Sequence, residues 1–223
     1  MCGLIAAFSR LDISDASMQR GLQSMYRRGP DGEGVWKAAG VFMGHRRLAV
    51  IDLDKRAAQP MHSVCGRYVI TFNGEIYNFK ELRTELEVDG VKFQTTSDTE
   101  VILCLFAKEG AKMLPKLQGM FALVIWDQVT KRTFVARDPY GIKPLYYAAS
   151  LEGVTLASSV KALMATGEVS SEPCPHGQAG FWLLGSVPEP YTWYRDVKAI
   201  PAGFMAWIEN GQMTELKSWF AVE

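Results

Sequence analysis

The chain opens with a continuous apolar run, and this feature limits its fold more than any other. The run is Cys-Gly-Leu-Ile-Ala-Ala-Phe at positions 2–8. Chain termini usually fray unless they are tied down, and a short continuous apolar run is typical of a fully buried strand. We therefore expect the N-terminus to enter a sheet, with Cys2 at the start of a buried strand.

Helix and strand signals divide the rest of the chain. Capping residues and apolar periodicity predict three longer helices: 14–28 with Ser14 or Asp15 as cap, Asn78 to the stop Gly90, and Ser97 to the stop Gly110. In the last two, Glu81 and Glu100 hold the reciprocal capping position. A Gly- and Pro-rich loop is predicted at 28–34, and a short helix at 160–164.

Strands are predicted where apolar and β-branched residues cluster: 35–36, 41–43, 67–72, 120–126, 132–136, 145–148 and 154–157. The last four of these predict an antiparallel meander. A polar stretch, 167–175, follows the short helix, and 181–184 and 204–208 add only a little structure. Strands first, then a helix pair, then more strands indicate an α+β layered fold in one domain.

Composition removes several classes of function. The chain carries 24 Lys and Arg against 24 Asp and Glu, so no general attraction to nucleic acid or to an anionic membrane is expected. No apolar run reaches membrane-spanning length. The four cysteines are scattered without C-x-x-C spacing, which argues against a zinc site and a disulfide framework. Reduced thiols and a cytoplasmic location are expected.

Cys2 directly follows the initiator Met1, and cells commonly remove Met1 when the next residue is small. The mature chain would then begin with a cysteine whose own α-amine, of pKa roughly 7.7–8.0, can accept a thiol proton of pKa roughly 8.5. Such a residue needs no histidine as its base. Taken alone, the simpler interpretation is favoured, in which Cys2 is only a small apolar residue that begins a strand.

Asn73-Gly74 follows the strand predicted at 67–72. Asn-Gly is a strong hairpin signal, so an ordinary turn is the simpler interpretation. The alternative is catalytic, because the Asn side-chain amide and the next N–H can together form a two-donor oxyanion hole. From the dipeptide alone the plain turn is favoured.

Two charged residues also have a simple and a functional interpretation. Arg47, at the edge of an apolar run, is either surface decoration or a guanidinium that binds a carboxylate through two hydrogen bonds. Asp98, in the first turn of a predicted helix, either complements the helix dipole or balances a substrate ammonium. Each simple interpretation is sufficient on its own.

Taken together, a series of strings resembles the N-terminal glutaminase domain of class II glutamine amidotransferases, of the asparagine synthetase type. The early strings are Met-Cys-Gly-Leu at 1–4, Arg-Gly-Pro-Asp-Gly at 28–32, His-Arg-Arg-Leu-Ala-Val-Ile-Asp at 45–52 and Gln-Pro at 59–60. The later ones are Asn-Gly-Glu-Ile-Tyr-Asn at 73–78, Ser-Asp-Thr-Glu at 97–100, Gln-Gly-Met-Phe-Ala at 118–122 and Arg-Asp-Pro-Tyr-Gly-Ile-Lys-Pro-Leu-Tyr-Tyr at 137–147. Weaker matches at 187–190 and 200–203 extend the resemblance towards the end of the chain.

The resemblance implies a four-layer αββα sandwich of antiparallel sheets, of the N-terminal-nucleophile hydrolase type. It implies one glutaminase domain over 1–223, with a core at about 2–186, and with closing strands and the start of a linker at 187–223. By motif position, Cys2 is the nucleophile and base, and Asn73 and Gly74 form the oxyanion hole. Substrate contacts fall to the remaining positions of the motifs: Arg47, Leu48, Val50, Ile51, Glu75 and Asp98.

The implied partners are L-glutamine and an ammonia-accepting synthetase domain or subunit, and the implied assembly includes a homodimer; neither nucleic acid nor a membrane is expected. No cofactor is expected in this domain, since ATP and Mg²⁺ belong to the synthetase half. That half's Ser-Gly-Gly-x-Asp-Ser loop is absent, so either a truncated chain or a stand-alone subunit is expected. Arg27 departs from the family by replacing a common histidine.

Two alternatives stay open at this point. The ammonia could be transferred to a carboxylate other than aspartate, for instance on a sugar or a natural-product precursor. The domain could instead be a non-catalytic module that senses glutamine or serves as a docking surface. Intact Cys2, Arg47, Asn73, Gly74 and Asp98 argue against the second alternative.

Overall fold

The apolar N-terminus forms a strand that is buried inside a sheet, as predicted. The structure is a computed structural model that describes residues 1–221, so the last two residues of the predicted segment 187–223 lie outside the described residues. The strands are β1 (Gly3–Ser9), β2 (Gly32–Ala38), β3 (Val41–Arg47), β4 (Met61–His62), β5 (Tyr68–Ile76), β6 (Gly119–Asp127), β7 (Arg132–Arg137), β8 (Tyr146–Ala149), β9 (Gly153–Ala157), β10 (Val197–Ala199), β11 (Phe204–Glu209), β12 (Gln212–Met213) and β13 (Lys217–Ser218).

The helices are α1 (Asp15–Gln23), α2 (Phe79–Val88), α3 (Asp98–Glu109), α4 (Val160–Thr166) and α5 (Pro175–Leu184). Short 3₁₀ turns cover Tyr26–Arg28, Lys55–Ala57 and Gly110–Lys116. Within residues 1–221, no helix combines the length and the apolar character that crossing a bilayer requires.

Two antiparallel sheets stack face to face. The first has the strand order β10-β8-β9-β1-β3-β2, and the second has the order β12-β11-β7-β6-β5-β4, with β13 added beside β11. β1 pairs with β3 on one side and with β9 on the other, so the N-terminal strand lies in the interior of its sheet. Cys2, the residue before β1, therefore stands at the end of a central strand of this sheet.

Three apolar cores define four layers. Because strand side chains alternate between faces, β1 sends Leu4 and Ala6 into the core between the sheets. It sends Ile5 and Ala7 into a second core beneath α1 and α4. A third core joins the second sheet to α2 and α3. The order helices, sheet, sheet, helices is the predicted αββα sandwich.

Several local predictions need correction. The helix predicted at 14–28 stops at Gln23, because Ser24 bonds back to the Gly21 carbonyl and the chain tightens into a 3₁₀ turn. Ser14, rather than Asp15, is its cap. The loop predicted at 28–34 is shorter, since β2 begins at Gly32.

Reciprocal side-chain caps were expected at the starts of α2 and α3. Asn78 and Glu100 form other bonds instead. Asn78 occupies the cap position of α2, yet its side-chain amide bonds to the Lys116 carbonyl and the Gln118 N–H. The Glu100 carboxylate accepts bonds from Gln94 and Thr95 rather than from the α3 cap. Both side chains therefore anchor neighbouring loops.

The predicted meander is two hairpins in different sheets. β6 and β7 pair in the second sheet, and β8 and β9 pair in the first, so the chain crosses the sandwich at 138–145. The helix α5 begins at the last residue of the polar stretch and covers the whole segment 181–184, where periodicity gave no helix. Its apolar residues occur in an unbroken run, which hides the helical repeat.

Candidate active site

Cys2 stands immediately before β1, at one end of the sandwich. Its thiol donates to the Leu48 carbonyl at 3.6 Å and accepts from the Leu48 N–H at 3.4 Å. Its carbonyl accepts a bond from Arg28 Nε at 3.0 Å. The end of β3 and the loop before β2 therefore hold the cysteine from two sides.

The loop that carries Arg28 can approach this closely because of a glycine. A Cβ on Gly29 would lie 2.4 Å from the Arg46 carbonyl group, which is backbone and cannot move aside. Arg28 was not assigned a role from the sequence, although the string Arg-Gly-Pro-Asp-Gly was noted. The close approach at Gly29 is the reason for that string, and it brings the guanidinium to Cys2.

Asn73 and Gly74 lie inside β5 and not in a turn. They pair with Ala122 and Phe121 of β6 in an unbroken register, so the hairpin interpretation is wrong. The Asn-Gly signal is misleading because the glycine is required by packing within the strand and not by a turn. A Cβ on Gly74 would lie 2.3 Å from the Met120 carbonyl oxygen. Only glycine fits at this position.

The Asn73 side chain is buried, with 1% of its surface exposed. Its Nδ2 group has no hydrogen-bond partner among residues 1–221. Buried polar groups nearly always have a partner, and an exception calls for an explanation. The missing partner is explained if Nδ2 donates to a ligand atom in the adjoining cavity.

The Gly74 N–H points towards the same cavity. Phe121, opposite Gly74, bonds through both its N–H and its C=O to Asp138 on its far side. The pair of Gly74 and Phe121 is therefore not hydrogen-bonded, and the Gly74 N–H points to the open edge of β5. On that edge, Phe72 N–H donates to Gln59 Oε1 at 2.6 Å and Ile76 N–H donates to Asp98 Oδ2 at 3.1 Å. The Gly74 N–H lies between these two bonds.

Arg47 occupies the opposite wall. It is half-buried at the end of β3, and its guanidinium donates to the carbonyls of Asp52 and Asp54, the latter at 3.1 Å. Within the described chain it forms no ion pair with an acidic side chain. Its charge is therefore held in place by neutral oxygens and stays free to pair with an anion.

Asp98, the first residue of α3, is buried with 5% exposure. Burial, aided by the nearby Glu75 carboxylate, raises the pKa of Asp98 to about 6, although the N–H groups of Ile76 and Thr99 act in the opposite direction. A carboxylate whose charge is this poorly solvated gains by pairing with a cation. Asp98 and Glu75 together form the acidic end of the site.

These residues surround one cavity of about 210 Å³. All nine positions predicted from the sequence line it: Cys2, Arg47, Leu48, Val50, Ile51, Asn73, Gly74, Glu75 and Asp98. Residues that the sequence analysis gave no role also line it, among them Met1, His45, Gln59 and Lys143. His45 and Gln59 lie in the strings His-Arg-Arg-Leu and Gln-Pro, whose residue types alone do not indicate a function for them.

His45 is a structural member of the wall. It is fully buried, and its Nε2 lies 3.1 Å from the Phe72 carbonyl oxygen. Burial, aided by the nearby Arg47 charge, lowers the pKa of His45 to about 4, although the bond to Phe72 opposes both effects. His45 is neutral at physiological pH and links the two sheets beside the cavity.

The segment 137–143 holds Lys143 at the cavity. The buried Asp138 carboxylate accepts bonds from the N–H groups of Phe121, Tyr140, Ile142 and Lys143. Arg137 spans the same turn, donating to the carbonyls of Gly141 and Lys143. The residues of the Arg-Asp-Pro-Tyr-Gly string thus have a structural role, because they fold a tight turn against β6.

The arrangement has three chemical parts. A thiol lies at one point of the cavity, two N–H donors are carried by neighbouring residues of the strand β5, and opposite charges mark two further points. This set can bind a small zwitterion and stabilise an oxyanion formed by attack of the thiol. No group of three or more potential metal ligands occurs in residues 1–221.

The chain is similar to known proteins over nearly its whole length. A family model described as glutamine amidotransferase domain matches residues 1–220. The chain is 36% identical over 228 residues to asparagine synthetase [glutamine-hydrolyzing] 1 of Bacillus subtilis, a match covering 99% of this chain and 35% of that protein. It is 33% identical over 199 residues to asparagine synthetase B [glutamine-hydrolyzing] of Escherichia coli, covering 88% of this chain and 31% of that protein.

The chain thus spans about a third of the length of these curated relatives. Among solved structures, glutamine phosphoribosylpyrophosphate amidotransferase from B. subtilis, complexed with ADP and GMP, has a TM-score of 0.72 at 21% identity. That match covers 97% of this chain and 49% of the other. At this identity the likeness shows the fold alone, which is the αββα sandwich of two antiparallel sheets.

Proposed function

The chain belongs to the glutamine amidotransferase domain family, and from that premise we propose that it is a class II glutaminase that works through Cys2. It hydrolyses L-glutamine to L-glutamate and ammonia. One observation carries this proposal: a single small cavity is lined by the thiol, by the two donors on β5 and by the opposite charges of Arg47 and Asp98.

The charges fix how glutamine lies in the cavity. Arg47 binds the α-carboxylate through its guanidinium, and Asp98 with Glu75 binds the α-ammonium. Backbone groups of Leu48 and its neighbours Val50 and Ile51 line the space between. Binding of the ammonium also restores a counter-charge to Asp98, whose carboxylate is otherwise poorly solvated.

The side-chain amide then reaches Cys2. The thiolate sulfur attacks the amide carbon, and the carbonyl oxygen becomes an oxyanion that accepts bonds from Asn73 Nδ2 and Gly74 N–H. The sulfur's proton, held meanwhile by the α-amine of Cys2, passes to the departing nitrogen, which leaves as ammonia. Water then attacks the thioester carbon, the sulfur leaves and takes back a proton, and glutamate is released.

Removal of Met1 is a required step in this scheme. The α-amine of Cys2 is a base only when it is free, because a peptide nitrogen does not accept protons at neutral pH. Met1 lines the cavity in the structure and has 56% of its surface exposed, so it is accessible to an aminopeptidase. Its loss both frees the amine and enlarges the cavity.

The ammonia is intended for an ATP-dependent acceptor domain of the asparagine-synthetase kind. Support comes from the relatives, whose names state glutamine hydrolysis and asparagine synthesis and whose chains are about three times as long. ATP and Mg²⁺ belong to that acceptor, and the chemistry of Cys2 uses neither. Homodimer formation stays a prediction, which sedimentation velocity would test.

Release of ammonia and glutamate by the Met1-processed protein tests the proposal. We expect Cys2→Ala to abolish both products while the protein keeps its far-ultraviolet circular dichroism. Cys65→Ala is the matched control, because Cys65 is an exposed thiol away from the cavity. Normal turnover by Cys2→Ala would contradict the proposal, and glutamine binding without any turnover would favour a sensing module.

A further inference from the structure

The segment 48–54 carries one wall of the cavity but is held in place by few bonds. Val50 and Leu53 are 69% and 75% exposed, and the segment has no helix or strand. At its start, Ala49 N–H donates to Asp31 Oδ2 at 2.9 Å. A wall with so few apolar contacts and exposed bonds belongs to the least stable part of a fold.

One side chain ties this segment to the opposite wall. Asp52 Oδ2 accepts from the Thr96 N–H at 2.7 Å and from the Thr96 hydroxyl at 2.9 Å. Within residues 1–221, these are the only hydrogen bonds that join 50–54 to a residue outside 47–57. The contact joins positions that are 44 residues apart in sequence.

Asp52 is built for this contact at some cost in backbone energy. Its φ of 51° lies in the left-handed region, which is strained for most residues and which Asp tolerates better than others. In that conformation Oδ1 accepts the Asp54 N–H at 3.0 Å, while Oδ2 faces Thr96. Its own carbonyl, together with that of Asp54, receives the Arg47 guanidinium.

The other end of the contact is rigid. The buried Glu100 carboxylate accepts from the Thr95 N–H at 2.7 Å and from its hydroxyl at 2.6 Å, and Arg83 donates to the Thr95 carbonyl at 2.6 Å. Thr96 therefore follows a residue that is fixed on three atoms, and it lies two residues before Asp98. A weakly held wall is tied to a firmly held one.

Resting on the proposed function, we infer that Asp52 is a positioning residue for glutamine, whose bridge to Thr96 holds Arg47 at the correct distance from Asp98. Arg47 precedes the bridge by five residues on one wall, and Asp98 follows it by two on the other. The bridge therefore sets the separation between the two charges that bind the ends of the substrate. It does not touch the thiol or the oxyanion donors.

Glutamine binding to the Met1-processed protein, measured by calorimetry in a Cys2→Ala background, tests this inference. We expect Asp52→Asn, which keeps the left-handed preference and removes the charge, to weaken binding by about tenfold. Thr96→Val keeps the N–H donor and loses the hydroxyl, so a loss of about threefold is expected, and Thr96→Ser should restore binding. The double variant should bind about as weakly as Asp52→Asn alone, since both changes remove one contact.

Two further measurements separate positioning from a general structural role. In proteins with Cys2 intact, KM should rise in Asp52→Asn while kcat stays within about twofold, since the thiol, the α-amine and the oxyanion donors that carry out the chemical step are unchanged. The thermal midpoint should stay within about 2 °C, because the bridge is exposed. Asp89→Asn is the matched control, since Asp89 is an exposed aspartate that pairs with Lys108 outside the cavity.

The outcomes are distinct. Binding by Asp52→Asn within twofold of the parent, or a loss of binding that follows the loss of thermal stability, overturns the inference. If the parent binds glutamine in an Asp52-dependent way but the Cys2-intact protein shows no turnover, the hydrolytic function fails and the positioning role stands. If the parent binds no glutamine, both fail.

Discussion

The two walls of the cavity differ in how firmly they are held. On one wall, Asn73 and Asp98 are 1% and 5% exposed and lie on a strand and a helix that are joined by the bond from the Ile76 N–H to Asp98 Oδ2. On the other, Arg47 is followed by a segment in which Leu53 is 75% exposed. The donors for the oxyanion thus lie on the rigid wall, and the carboxylate-binding group lies on the softer one.

This division matches the demands of the chemistry. Oxyanion donors must be positioned before the reaction, because their benefit depends on not having to reorganise. A substrate-binding group can tolerate more motion, and substrate has to enter and leave past it. Substitutions of the oxyanion donors on the rigid wall should therefore change kcat, and substitutions on the soft wall should change KM.

The largest effect is expected at Asn73. Asn73→Ala should lower kcat by about 10²–10³-fold with little change in KM, because one oxyanion donor is lost. Steady-state ammonia release measures both constants. A rise in KM with unchanged kcat would place Asn73 in substrate binding and break the distinction between the walls.

Arg47 gives the corresponding test of the soft wall. Arg47→Ala should weaken glutamine binding by about 2–3 kcal/mol, on the order of 100-fold, since the α-carboxylate loses its partner. Calorimetry in the Cys2→Ala background reports it directly. Arg47→Lys should recover part of the loss, because a lysine supplies the charge without the two parallel bonds. Unchanged affinity in Arg47→Ala would remove this residue from the site.

A smaller effect concerns pH. Because the pKa of Asp98 is about 6, its charge is lost as the pH falls through 6, and the ammonium of glutamine loses a partner. The dissociation constant in the Cys2→Ala background should rise up to about tenfold per pH unit below 6. Asp98→Asn should bind weakly at every pH without this inflection. A profile for the parent that is flat between pH 5 and 7 would contradict the assignment.

The smallest effect is on stability, and its sign is opposite to the effect on function. The folded pKa of Asp98 lies above the ordinary value of 3.8, so the folded state binds the proton more tightly and the charged carboxylate destabilises the fold above pH 6. Asp98→Asn should therefore raise the unfolding free energy at pH 8 by about 1–2 kcal/mol, and by less at pH 5. Thermal melts at both values measure it. Destabilisation at pH 8 would show that the carboxylate is already compensated without substrate.

Much of the fold and of the site could be predicted from the sequence, for identifiable reasons. The apolar run at 2–8 gave the central strand, and the resemblance gave the layers and the nine cavity residues. The sequence alone favoured a turn at Asn73-Gly74, because the Met120 carbonyl that excludes a Cβ there comes from a distant strand. Spacing cannot reveal such a contact.

Other residues were missed for a similar reason. Three side chains form hydrogen bonds to backbone groups that are distant in sequence: Arg28, Asp52 and Gln59. No periodicity or composition signal accompanies bonds of this kind. The unbroken apolar run that hides α5 is a different case, since there the helical repeat itself is obscured.

The central claim is that Cys2, freed of Met1, is the nucleophile of this cavity. The most direct measurement is the intact mass of the protein before and after treatment with 6-diazo-5-oxo-norleucine, a reactive glutamine analogue. The account predicts a chain lacking Met1 that gains one adduct, which peptide mapping places on Cys2 and which excess glutamine suppresses. Retention of Met1 in a protein that releases ammonia, or an adduct on another residue, would contradict it.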